Sequence, residues 1–115
     1  MSGGVPLPAF LRALPGLELP LPEEVVTANA IRSDDGLAVW FTFHRDCELP
    51  PHAHGDQWGT VLAGRIEFTR DGVTETMTQG DSYFIPAGVE HGAKIAAGTV
   101  VLDVFAEPDR YALTG

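Results

Sequence analysis

Three of the four histidines stand in two short segments, at spacings that suit a metal site. The first segment reads Pro51-His52-Ala53-His54-Gly55-Asp56-Gln57-Trp58, and the second runs from Gly80 to His91. His52 and His54 are two residues apart, so on an extended strand their imidazoles project from one face. His91 comes much later and meets them only if the intervening chain folds back. Converging neutral imidazoles are the commonest protein ligands for divalent transition metals. The chemistry to look for is therefore that of a small metal centre.

The elements that must position these residues read as short strands. Val25 to Ser33 suits an extended segment, and the turn Asp34-Asp35-Gly36 leads into Leu37 to His44, a run rich in strand formers. Pro50-Pro51 opens the segment carrying His52 and His54. Trp58 to Ala63 and Arg65 to Arg70 flank a tight turn at Gly64. Asp71-Gly72 is a two-residue hairpin signal that leads into Val73 to Thr78. Ser82 to Ile85, His91 to Ala96 and Thr99 to Phe105 complete the set. Short strands with turns at such spacing predict an all-β sandwich or barrel. Only Pro8 to Leu14 and Pro108 to Leu113 suit single helical turns. We divide the chain into a proline-spaced arm (1–22) over the barrel or a neighbouring subunit, a barrel (23–107) and a tail (108–115).

At 115 residues the chain is expected to be one domain with a real core. The formal net charge of −9 argues against a nucleic-acid or anionic membrane partner. No apolar run approaches the roughly 20 residues of a membrane span, and the start lacks a signal-peptide pattern. The single cysteine, Cys47, excludes an internal disulfide framework. The expected compartment is the cytoplasm.

The two segments resemble the paired motifs of the cupin superfamily. The first reads His52-x-His54-x2-Gln57-x6-Gly64, and the second Gly80-x5-Pro86-x-Gly88-x2-His91. The resemblance runs from about Trp40 to Phe105. It implies a jelly-roll barrel, or double-stranded β-helix, with a metal inside its open end, and a homodimer built by strand exchange or sheet packing. There are three departures from the family pattern. Gln57 stands where a glutamate is usual, Asp46 where motif one often begins with glycine, and Ile95 where an asparagine often follows the last histidine.

The implied ligand set is His52, His54, Gln57 and His91. Gln57 can bind through its amide oxygen but brings no charge, so a divalent ion keeps its full formal charge and is a stronger Lewis acid. The same lack of charge makes higher oxidation states harder to stabilise. This favours zinc or nickel over iron or manganese. A register change of one residue would substitute the carboxylate of Asp56.

Tyr83, Asp103 and His44 are the acid–base candidates. Their bland readings are a barrel hydrogen bond, a solvated edge and a surface imidazole. Alternation places Gln57, Gly59 and Val61 on one face of their strand, and Trp58, Thr60 and Leu62 on the other. Gly64, Gly80, Pro86, Gly88 and Asp81 read as turn residues, Cys47 as a small apolar residue, and the Glu107-Pro108-Asp109-Arg110 stretch as solvated. The functional expectation is a metal-binding cupin acting as a Lewis-acid isomerase, cyclase or lyase on a small oxygen-bearing molecule. An iron or manganese dioxygenase and a non-enzymatic small-molecule binder or sensor are the alternatives.

Overall fold

The structure, a computed structural model, describes residues 7–114; the first six residues of the expected arm lie outside them. One helical turn, α1 (Ala9–Arg12), precedes nine strands: β1 (Val26–Ser33), β2 (Gly36–Phe43), β3 (Cys47–His52), β4 (Gln57–Ala63), β5 (Arg65–Arg70), β6 (Val73–Thr78), β7 (Ser82–Ile85), β8 (His91–Ile95) and β9 (Val100–Phe105). They form two antiparallel sheets, ordered β1-β2-β9-β4-β7 and β3-β8-β5-β6. This is the expected all-β, double-sheet jelly roll.

Period-two patterning explains why the sheets face each other. In β2, Leu37, Val39, Phe41 and Phe43 are buried, while the residues between them stay partly exposed. In β4, Gln57, Gly59, Val61 and Ala63 point inward and Trp58 outward. The inner faces supply one apolar cluster that includes Phe41, Phe43, Val61, Ile66, Phe68, Ile85, Val101 and Phe105. The Asp71-Gly72 hairpin forms as expected. Both residues have positive φ, 51° and 78°, and Arg70 pairs with Val73, which is the backbone signature of a tight turn matched to strand twist.

Register brings the site residues to one end of the barrel. His52 pairs directly with His91 across β3 and β8, and Gln57 pairs with both Ile85 and Phe105. The described part of the arm lies on the chain's own barrel. Leu17 bridges Leu113, the amide of Glu18 donates to Ala112 O at 2.9 Å, and that of Thr114 to Gly16 O at 2.9 Å. The side-chain amide of Asn29 in β1 donates to the carbonyls of Arg12 and Leu14, which fastens the helical turn. The tail, expected as a single helical turn, instead turns at Glu107–Arg110 and then runs beside the arm.

Gly64, between β4 and β5, has φ +86°, and a Cβ there would overlap the backbone and side chain of Thr99. Gly98 has φ +88° with open space around it. Gly64→Ala is therefore expected to cost more than Gly98→Ala, which carries only the backbone strain of about 1–3 kcal/mol. Chemical denaturation of both variants measures the difference.

Candidate metal centre

His52 ends β3 beyond a break in strand register between Leu49 and His52. Pro50 and Pro51 occupy that break, and neither has an N–H to lose from the ladder. His54 is not on a strand, as simple alternation would have it, but in the connection to β4. The amide of Gly88 donates to its carbonyl at 2.9 Å and ties the two motif loops together. His91 begins β8. The three imidazoles have ring centroids 4.3 to 5.3 Å apart, and their ligand nitrogens lie within 4.8 Å of one another.

Each ring is held the same way. The Nδ1 atoms of His52, His54 and His91 lie 2.9 Å from the carbonyls of Pro50, Gly55 and Val89 respectively. A carbonyl only accepts, so each Nδ1 carries the proton and each Nε2 presents a lone pair. The Nε2 atoms of His54 and His91 are buried with no hydrogen-bond partner. Buried polar atoms are rarely left that way, and the cost of doing so is of order 1–3 kcal/mol each. Burial lowers the pKa of both rings, and the charges of neighbouring His52 and Arg110 lower them further. Neutral rings with orphaned, convergent lone pairs are what a divalent metal requires, so the residues present fit one.

Gln57 is buried and lines the same cavity as the histidines. Its side chain also neighbours the Asp103 carboxylate, whose pKa it lowers. Asp56 is exposed, and its Oδ1 accepts from the amide of Ala87 at 2.7 Å. The structure thus buries Gln57 and commits Asp56 to a loop.

Asp103 is buried on the inward face of β9, between Val101 and Phe105. The Tyr83 hydroxyl donates to its Oδ1 at 2.6 Å. Burial pushes the Asp103 pKa up to about 6, opposed by the Tyr83 hydrogen bond and the neighbouring Gln57 side chain. Burial and the adjacent carboxylate push the Tyr83 phenol far above its ordinary range. Tyr83 is consequently a fixed donor, not a proton acceptor. Gly59 lies beside this pair, and a Cβ there would overlap Asp103 Oδ1 and the Tyr83 hydroxyl. The glycine in β4 makes room for the carboxylate–phenol contact.

His44 does not line the cavity. It follows Phe43 at the far end of β2, is exposed, and bonds Thr27 Oγ1 at 3.0 Å. This corrects its listing among acid–base groups: the register of β2 carries it away from the Gln57–Phe105 end. Cys47 is partly buried, packs against the core and stays outside the cavity lining. Asp81 supports a turn, accepting from the amide of Thr78 at 2.8 Å.

The cavity that contains the three histidines has a volume of about 110 Å³. Its polar groups, His52, His54, His91, Gln57, Tyr83 and Asp103, share space with walls from both sheets, from Leu19 and Leu21 of the arm, and from Tyr111 of the tail. A space this small and apolar, with a few convergent polar groups, suits a small organic molecule.

A model of the cupin domain matches residues 39–105, more than half of the chain. The chain belongs to the cupin family. Among solved structures it resembles an RmlC-like cupin from Shewanella frigidimarina at 28% identity and TM-score 0.73, covering 86% of this chain and 87% of that one. The KdgF protein of a Halomonas species matches at 24% identity and TM-score 0.68, over 81% of this chain and 87% of that one. An oxalate decarboxylase from Bacillus subtilis shares the fold at 16% identity and TM-score 0.69, over 86% of this chain and 29% of that one. A search of curated proteins gives no match.

Two residues of this cupin read as solvated lie beside the site, outside the cavity lining. Glu107 accepts from the amide of Gly55 at 2.8 Å and stands 4.0 Å from His54 Nδ1. Arg110 stacks over Tyr111 and Phe105. No local pattern in the sequence marked them, because both reach the site by long-range folding. Asp103 was more accessible to reading: alternation with Val101 and Phe105 places it on the inward face.

Metal content by mass spectrometry checks the centre. Near-stoichiometric metal is expected in the native protein and in His44→Ala, with on the order of tenfold or greater loss of affinity in His52→Ala and His91→Ala.

Proposed function

We propose that this cupin is a metal-dependent enzyme that moves a proton on a small oxygen-bearing organic molecule, in an isomerisation, cyclisation or lyase reaction. The observation that carries this reading is a buried carboxylate, Asp103, sharing one small cavity with three convergent imidazole lone pairs. His52, His54 and His91, with Gln57 as a fourth ligand, would hold a divalent ion whose chemistry is Lewis-acid polarisation of a substrate carbonyl or enolate oxygen. The neutral Gln57 favours zinc or nickel over iron or manganese.

The chain's own residues divide the remaining work. Asp103 has no cationic partner among the described residues, so it is the group in the cavity that accepts and returns a proton. Tyr83 fixes the orientation of that carboxylate by donating to it. Gln57 lines the same cavity as the carboxylate and the histidines. The apolar walls exclude water from the reacting atoms.

Turnover of a panel of small carbonyl compounds by metal-loaded protein tests the reading. Asp103→Asn is expected to retain metal while losing on the order of 100-fold or more in rate. Oxygen uptake by the iron-loaded protein would point to a dioxygenase instead. Saturable binding with release of unchanged ligand would point to a binder.

We also propose that the chain forms a homodimer through the outer face of the five-stranded sheet. Ile31, Ala38, Val104, Trp58 and Phe84 are consecutive register partners across β1, β2, β9, β4 and β7. Four of these five are large and exposed. The next row, Asn29, Trp40, Leu102, Thr60 and Ser82, is also uncharged. Two chains of net charge −9 can approach most readily on a face without charge. Light scattering is expected to show a dimer that Trp58→Glu converts to monomer; an unchanged mass would sink this interface.

A further inference from the structure

The cavity is polar at one end only, and strand register sets the boundary. On β8 the residues that line it run His91, Ala93, Ile95, and on β9 Val101 lies two residues beyond Asp103. Ile95 is four residues past His91, which on a strand is roughly 13 Å farther along. Pairing gathers apolar residues around these positions: Ile95 meets Ile66, Ala93 meets Phe68, and Val101 meets Phe41. All six line the cavity.

Donors are scarce even at the polar end. The three imidazole N–H groups are committed to backbone carbonyls, and the Tyr83 hydroxyl is committed to Asp103. Among lining side chains that leaves the Gln57 amide and the Tyr111 hydroxyl as donors. No Ser, Thr, Asn, Lys or Arg is among the described residues that line the cavity. A ligand hydroxyl set against the apolar walls is buried without a partner, which weakens binding by about five- to hundredfold for each one.

We propose that the substrate is a carbonyl compound with a hydrocarbon body no larger than a single six-membered ring, its one polar end at the histidines. The inference rests on the reading of this cavity as the substrate site. Size follows from the volume of about 110 Å³; an apolar cavity of about 150 Å³ holds benzene. Polarity follows from the walls, which reward each methylene and leave each hydroxyl unpaired. Sugar-like molecules, with hydroxyls along their whole length, are excluded.

The test measures dissociation constants by ligand-observed NMR on metal-free and zinc-loaded protein. The probes are acetone, pentanone, cyclohexanone and inosose, the pentahydroxylated cyclohexanone. Affinity is expected to rise about fourfold per added methylene, hence about 15-fold from acetone to pentanone. Cyclohexanone is expected to bind at least about 100-fold more tightly than inosose. Ala93→Leu fills space between the polar end and Ile95, and is expected to weaken cyclohexanone by about tenfold or more while sparing acetone. Should that variant fail to fold, Val101→Thr, of nearly equal volume, is expected to weaken cyclohexanone by about fivefold or more. Inosose binding as tightly as cyclohexanone overturns the proposal, as does a flat response from acetone to pentanone. So does cyclohexanone binding unchanged in the folded variant, or failure of every ketone to bind at tens of millimolar. Metal content of the same wild-type samples separates the two claims: protein that takes up no zinc refutes the metal centre, while the ketone series on metal-free protein still decides the hydrocarbon body.

Discussion

The site depends on one recurring contact, an imidazole Nδ1–H held by a backbone carbonyl. In all three histidines the accepting carbonyl belongs to a residue within two positions in sequence: Pro50 for His52, Gly55 for His54, Val89 for His91. The tautomer is thus fixed by local loop shape, while convergence is fixed by sheet register. These are separable demands. Proline at positions 50 and 51 permits the break in the β3 ladder, and the tie between Gly88 and His54 joins the two motif loops. Three lone pairs then face one another with no solvent to satisfy two of them.

That arrangement costs stability, and the rest of the barrel must offset it. Orphaned nitrogens and a buried carboxylate are each unfavourable against their hydrated forms. The offset comes from the apolar cluster between the sheets, where Leu37, Val39, Val61 and Ile85 are almost completely buried. It also comes from the arm and tail, whose mutual pairing brings Leu19, Leu21 and Tyr111 over the same core. Polar residues are concentrated at one end, so the penalty is confined to the place where ligand binding can relieve it.

Much of this was readable from residue types alone. The strand set, the Asp71-Gly72 hairpin and the inward face of β4 follow from periodicity and turn chemistry, which are local. The meeting of His52 with His91 was readable only through motif spacing, since it is a cross-strand pairing between distant segments. The place of His44 was misjudged for a simple reason. Alternation says which face a residue takes but not which end of a barrel it occupies, nor which side chains fill a gap beside a glycine. Glu107 and Arg110 looked solvated because a short charged stretch after the last strand carries no periodic signal. Their place depends on how the tail pairs with the arm.

Gln57 and Asp103 together suggest why an uncharged residue occupies a position where the family usually places glutamate. A glutamate there would set its negative charge against the ion and spend its basicity on coordination. Here a negative charge is carried instead by Asp103, buried in the same cavity as Gln57. On the proposed function, a metal there would keep its full positive field and the carboxylate its lone pairs for a proton. Gly59 is part of the same solution, because only a residue without Cβ lets β4 lie beside the Asp103–Tyr83 contact. The replacement in motif one, the carboxylate on β9 and the glycine on β4 thus form a single charge arrangement distributed over two neighbouring strands.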